Sequence, residues 1–294
     1  MERRDFIKGL LVGSLAAGIS PRLLTQSRYP ELAVVTGESP EKITREAVEL
    51  VGGMKHFIGR GDKVIIKPNI GWDRTPEMAA CTNPEIVKTV VTMALEAGAK
   101  EVIVMDHTIN QEKRCYIRSG IQEAAQSAGA KVLFPEDQRL KKVNLKGEWL
   151  KDWEVYADFL EADKIINLPA TKVHSLSKVT LGLKNWLGAI GGSRNQLHQK
   201  IDEAMVDLAA FFKPTLTILD SYRVLFRNGP QGGRISDTKL LKTVVAGTDP
   251  VAIDAYGATL FDLKPQELLF LQLASARGLG KLELEKIRIE KRTV

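Results

Sequence analysis

The chain has 294 residues, 44% hydrophobic and 27% charged, with a net charge of +6 at pH 7; this is globular composition with enough apolar material for a core, in one large α/β domain or two small ones. The charge excess is mild and lacks basic tracts interleaved with aromatics, which argues against nucleic acid and leaves room for a small anionic ligand. Two cysteines, Cys81 and Cys115, cannot supply the four thiolates of an iron–sulfur cluster or a structural zinc site; two free thiols is the simpler reading, and spacing does not say whether they pair.

In chain order, residues 1–24 come first. Arg3 and Arg4 precede Asp5-Phe6-Ile7-Lys8 and an uncharged run from Gly9 to Ser20, too short to span a bilayer comfortably. The apolar residues of that run surround a helix instead of forming a stripe. RRDFIKG resembles a twin-arginine (Tat) export signal. The resemblance implies passage through the Tat export machinery in a folded state, to the periplasm or another extracytoplasmic space. No clean cleavage site follows, so a retained membrane anchor stays open. Loss of residues 1–24 removes four basic and two acidic residues and leaves +4.

After a linker at 25–30, ELAVVTG (31–37) reads as a strand and Pro40 opens a helix over 41–54. KVIIKPN (63–69) is a strand rich in β-branched residues. Asn83 as N-cap and Pro84 at the first position start a helix that stops at Gly98. EVIVMDH (101–107) is a strand, followed by a helix to about Ala128 and a strand at 131–137. Residues 139–155 form a small β excursion. DKIINL (163–168) is a strand, and a basic block follows it. A helix from about Gln196 to Phe212, a strand at 215–220, a glycine-rich loop at 226–234 and a strand at 242–247 come next. Helices over 250–261 and 265–278 and a terminal edge strand within 281–291 complete the chain. The alternation predicts an α/β fold, a mostly parallel or mixed central sheet with helices on both faces. Residues 25–294 read as one domain, with a candidate subdivision near 138–155.

The basic block, TKVHSLSKVTLGLKNWLGAIGGSRN (171–195), carries Lys172, His174, Lys178, Lys184, Asn185 and Arg194 without one carboxylate. Cations left unpaired beside Gly182, Gly188, Gly191 and Gly192 suggest backbone coming close to an anionic ligand. In open parallel sheets ligands sit beyond the carboxyl ends of the strands. Those ends carry Lys67 and Asn69, Asp106 and His107, Asn167, Asp220, and Asp249. Lys67 reads equally as a solvated lysine or a ligand contact. Asp106 and His107 read either as a helix cap with a surface imidazole or as a carboxylate orienting a ring. His174 among cations should be neutral and able to move a proton, or else a hydrogen-bonded loop histidine. Asp220 needs a partner if buried, either a cation of the basic block or a metal. Asp249 suits a helix N-cap; Asp254, one turn later, does not, and joins the candidate ligand contacts. RNGPQGGR reads as a hairpin turn before it reads as an anion cradle. His107, His174 and His198 would make a metal site only if folding gathers them.

These motifs together resemble the DUF362 family: KPN, TNPEIV, AGAKEVIVMD, KVHSLSKVTLGLKNWLGAIGG, the strand-ending Asp220, NGPQGG and AGTDPVAIDAYGA, over about residues 60–262. Many members carry ferredoxin-like iron–sulfur segments, which implies redox roles. This chain lacks the cysteines, so no intrinsic iron–sulfur cluster is expected, and a separate electron-transfer protein is what the resemblance leaves. The Lys-x-His and Lys-Asn elements are also similar to a region of the nickel-pincer lactate racemases. The expectation is an exported enzyme or redox-associated protein. It would hold a small anionic substrate or cofactor with Lys67, Asn69, Lys172, Lys184, Asn185, Arg194 and Asp254, with His174, Asp106, His107 and Asp220 as catalytic candidates. The alternatives are a non-catalytic extracytoplasmic binding protein and a maturation factor for another exported redox enzyme.

Overall fold

The structure, a computed structural model, describes residues 28–294; the export signal read at residues 1–24, with Arg3 and Arg4, lies outside them. The strands are β1 (Leu32–Thr36), β2 (Lys63–Pro68), β3 (Glu101–Val104), β4 (Lys131–Val132), β5 (Leu140–Asn144), β6 (Asp152–Tyr156), β7 (Lys164–Leu168), β8 (Ala170–His174), β9 (Lys178–Thr180), β10 (Leu216–Leu225), β11 (Thr238–Gly247) and β12 (Ile289–Thr293). The main sheet has ten strands in the order β12-β1-β11-β10-β7-β2-β3-β4, and β8 pairs with both β10 and β9. β5 and β6 form a separate two-stranded sheet.

Alternation along the strands makes two cores. Leu32, Val34, Ile65, Ile103, Leu219 and Val245 face one cluster. Their neighbours Ala33, Val35, Val64, Ile66, Ile218 and Val244 face the other. A strand apolar at every position is therefore satisfied on both sides, as a sheet covered by helices on both faces requires. Helices Pro40–Leu50 and Pro84–Glu96 cover one side; Ile201–Phe212, Pro250–Thr259 and Leu269–Ala276 cover the other. The mixed sheet follows from the pairings: β2–β3, β3–β4, β2–β7, β7–β10 and β1–β12 are parallel, while β1–β11 and β10–β11 are antiparallel.

The order also places the site. From β2 the chain steps outward through β3 to β4, then returns across the sheet so that β7 lies on the other side of β2. The carboxyl ends of β2 and β7 thus diverge at a topological switch point, where an open sheet leaves a crevice.

Several elements differ from their sequence reading. The helix expected over 41–54 ends at Leu50, and a single turn, Met54–Phe57, follows. The helix after β3 is two, Glu112–Arg118 and Ile121–Ser127, separated at Gly120 with its φ of 73°. β4 keeps only two residues because it lies at the sheet's edge and pairs with β3 alone. The helix expected from Gln196 starts at Ile201 after a 3-10 segment, Arg194–Lys200. The strand expected at 215–220 runs on to Leu225 past an irregularity between Ser221 and Arg223 and forms a hairpin with β11; the 226–234 loop is that hairpin's turn. The basic block contains the β8–β9 hairpin and a short helix, Gly182–Asn185. Among the described residues no helix is long and apolar enough to cross a membrane.

Candidate functional site

A cavity of about 340 Å³ opens where β2, β3 and the basic block meet. Lys67, Asn69, Asp106, His107, Lys172, His174, Lys184, Asn185, Arg194 and His198 all contribute to its lining. Its apolar part comes from Trp72, Ile109, Leu176 and Leu187. Sequence reasoning missed that part; no residue type alone marks an apolar side chain at a cavity mouth.

The polar side chains divide into those whose hydrogen bonds are spent inside the protein and those whose bonds are not. Lys67 is fully buried, and its three ammonium donors have three acceptors: Asp106 Oδ1 at 2.5 Å, Pro68 O at 2.9 Å and Asn185 Oδ1 at 3.0 Å. It is neither a solvated lysine nor an available ligand contact. Burial lowers its pKa, and the Asp106 charge works against that shift. Asp106 also accepts from the Ile70 amide at 2.6 Å. It therefore does not orient His107, as the sequence suggested; its carboxylate is occupied by Lys67 and the chain after β2.

Asn185 continues the network. Its Nδ2 donates to Lys67 O at 3.0 Å and to Asn167 Oδ1 at 2.9 Å. Its Oδ1 also accepts from Asn69 Nδ2 at 3.1 Å, and Asn69 Oδ1 in turn accepts from Lys172 Nζ at 2.8 Å. An unbroken chain of side-chain hydrogen bonds thus runs from Asp106 through Lys67, Asn185 and Asn69 to Lys172. Gly188 lies against its acidic end: a Cβ there would overlap the Asp106 carboxylate and crowd Lys67 Nζ. Glycine is required by close approach.

Lys172 and Lys184 behave differently from Lys67. Lys172 gives two donors to Asn69 and Ala80 O and keeps a third. Lys184 is 8% exposed, and no described residue offers its Nζ an acceptor or an ion-pair partner within bonding distance. Burial brings each down to about 8; Lys172 is the next cause for Lys184, and Lys67 presses Lys172 in the same direction. Thr180 adds a buried hydroxyl without a hydrogen-bond partner among the described residues, on the same lining.

The two histidines hold opposite tautomers. His107 Nδ1 lies 2.9 Å from Ile190 O, which can only accept, so Nδ1 carries the proton and Nε2 keeps a lone pair. Tyr156 OH packs beside the same nitrogen at 3.0 Å. Burial, then Arg194, lowers the His107 pKa. His174 Nδ1 accepts from the Leu176 and Ser177 amides at 3.1 and 3.4 Å, closing the β8–β9 turn. Its neutral ring therefore has the proton on Nε2 and donates there. Burial first, then Lys184 and Lys172, pushes His174 down to about 3, so the ring is neutral across the physiological range, as the sequence suggested. The expectation that His174 accepts a proton is corrected: its acceptor nitrogen is already used, and His107 has the free one.

Arg194 donates to the carbonyls of His107, Leu187 and Thr108 at 3.1, 3.1 and 2.7 Å. It ties the loop after β3 to the basic block, with only part of its fork left for a ligand.

Asp220 and Asp254 lie behind the cavity, off its lining. Asp220 has no cation at ion-pair distance among the described residues; it accepts from the Asn83 and Tyr222 amides at 2.7 and 3.0 Å, and burial raises it to about 6. Asp254 accepts from the Gly182 and Leu183 amides at 2.7 and 2.8 Å, and burial raises it to about 7. It caps the short helix that carries Lys184 and Asn185, so it is a cap after all, for a helix distant in sequence. Asp249 caps its own helix through Val251 and Ala252. His107, His174 and His198 do line one cavity, yet no three His, Cys, Asp or Glu among the described residues stand as a metal-binding cluster. Cys81 and Cys115 are free and buried.

A model of the family described as "Domain of unknown function (DUF362)" matches residues 64–259, more than half of the chain. A thylakoid-associated protein of Synechocystis sp. is 24% identical over 249 residues, covering 82% of this chain and 76% of that protein. Among solved structures, the lactate racemase apoprotein of Thermoanaerobacterium thermosaccharolyticum superposes with a TM-score of 0.51 at 13% identity. The match takes in 78% of this chain and 56% of that one, so this chain spans little more than half its length. At that identity the likeness is one of fold.

Proposed function

The chain belongs to the DUF362 family, and from its site we propose that it is an enzyme that binds a small carboxylate in the basic cavity and moves a proton at the bound molecule. The observation that carries the reading is Lys184, a buried ammonium with no acceptor among the described residues. A buried charge without a partner is costly, and an anion in the cavity supplies the partner. The donors around it agree in kind: the third proton of Lys172, Nε2–H of His174 and the Thr180 hydroxyl. Among the described residues the one carboxylate on the lining, Asp106, is consumed by Lys67 and Ile70. A lining of donors complements a carboxylate. The fold neighbour acts on lactate by its name, which fits a guest of this size and charge.

The proton acceptor is His107 Nε2. Ile190 O holds its tautomer, and a depressed pKa keeps the ring neutral at neutral pH, with the Nε2 lone pair open to a proton. His174 donates to the guest's oxygen, and the two lysines neutralise its charge. Export through the Tat machinery belongs to the same reading and rests on Arg3 and Arg4; replacement of both by lysine leaves the protein inside the cell, and normal secretion of that variant removes this part.

Calorimetry with lactate at pH 7 tests the binding. The wild type binds; Lys184→Met weakens binding at least about tenfold, the worth of one charge-assisted contact, while circular dichroism stays unchanged. Equal affinity in the two proteins would place the anion elsewhere.

A further inference from the structure

We infer that Lys184 is a nucleophile that condenses with the carbonyl carbon of a small oxo-carboxylate, an aldehyde or ketone acid, to form an imine in this cavity. The inference rests on the carboxylate-binding reading and goes beyond it by assigning Lys184 a covalent role and the guest a second functional group.

Three features of the site carry it. Lys184 Nζ is buried on the cavity lining with all three donors unspent among the described residues, whereas Lys67 has none left and Lys172 has one. A lysine whose only task is to hold its charge in a buried place is normally paired; the nearest acidic influence on Lys184, Asp202, lies beyond ion-pair distance. Second, another ammonium, Lys172, shares the cavity. A desolvated amine beside a second cation is the arrangement that frees a lysine lone pair near neutral pH. Third, Lys172, Thr180 and His174 Nε2–H supply donors for a carboxylate without Lys184, so the amine is released to meet the neighbouring carbon.

The step balances without a co-reactant. The Lys184 lone pair forms the C–N bond as the carbonyl π pair moves to oxygen. The nitrogen then forms C=N as the C–O bond breaks, and the oxygen leaves as water with two of the protons that the ammonium began with. Ammonium and carbonyl become iminium and water. The iminium draws electrons from the adjacent carbon, which is where a base such as His107 Nε2 would act.

Reductive trapping on the full chain tests this, with glyoxylate and pyruvate as probes and cyanoborohydride present at pH 8. Burial holds Lys184 near 8, so about half of it is neutral there, against under about 1 in 100 of an exposed lysine. The expected result is one reduced adduct per chain, mapped by peptide mass spectrometry to Lys184. Exposed lysines such as Lys88 and Lys113 should be labelled only in trace, and Lys184→Arg, which keeps the charge, should remove the adduct. Wild-type mapping carries the result even if the variant folds poorly. Labelling absent from Lys184, or spread evenly over exposed lysines, overturns the inference. Lactate, which has no carbonyl to condense, separates the two readings. Lactate binding retained without an adduct sinks the imine alone, and loss of both sinks the carboxylate site with it.

Discussion

Asp106→Asn should unfold the protein far more readily than the loss of one hydrogen bond would. Lys67 Nζ is 0% exposed, and among the described residues its only ionic partner is Asp106, at 2.5 Å. The amide removes that charge and keeps the shape. It also replaces one carboxylate oxygen with an NH2 group, so either the ammonium or the Ile70 amide loses its acceptor. Leaving one member of a buried pair uncompensated costs about 3–5 kcal/mol, a fifth or more of the about 5–15 kcal/mol that holds a domain together. With a urea dependence of about 3 kcal/mol per M, the unfolding midpoint falls by about 1–1.7 M. Tryptophan fluorescence at pH 7 follows it, since Trp186 is fully buried. The double variant Lys67→Met, Asp106→Leu removes both charges and should recover at least half of the loss, because a buried pair is dispensable where a lone charge is not. An Asp106→Asn midpoint within about 0.3 M of wild type would refute the description of Lys67 as a saturated, carboxylate-dependent cation.

Gly188→Ala should destabilise by about 1–3 kcal/mol in thermal melts, because its methyl group displaces the Asp106 carboxylate. Gly233→Ala, where a Cβ meets nothing within 4 Å, is the neutral control. For pH, Lys184 and Lys172 lie near 8 in the fold against an ordinary 10.5. The unfolded chain therefore binds more protons between about 8 and 10.5, so stability rises with pH across that window. Lys184→Met should flatten the rise and raise stability at pH 7, by about 3 kcal/mol at most, while weakening lactate binding at least about tenfold. Asp254→Asn should cost about 1–3 kcal/mol and weaken lactate binding measured by calorimetry, because it loosens the Gly182–Asn185 helix that presents Lys184.

Much of the frame was legible because its signals are local. Pro40, Asn83-Pro84 and Asp249-Pro250 all begin helices, each through a cap and a proline that need no distant contact. The carboxylate-free block holds Lys172, His174 and Lys184 close together in sequence, and all three line one cavity. What was hidden depends on partners far along the chain. Lys67 and Asp106 are 39 residues apart, and nothing near either one indicates that they saturate each other. Asp220 and Asp254 suggested a cation or a ligand; their partners are backbone amides, which every residue but proline carries and no motif reveals. The β8–β9 hairpin was concealed because its alternation is interrupted by lysines, and its pairing to β10 depends on an irregular register there. The histidine roles needed tautomers, and these follow from the carbonyl of Ile190 and the amides of Leu176 and Ser177.

The most direct measurement is the proton titration of Lys184 Nζ by nitrogen NMR, without and with saturating lactate. Free protein should titrate near 8, and lactate should move the midpoint upward, because a carboxylate beside the amine favours its charged form. A midpoint that lactate leaves unmoved, or one at the ordinary lysine value in both samples, would contradict a buried cation awaiting an anion.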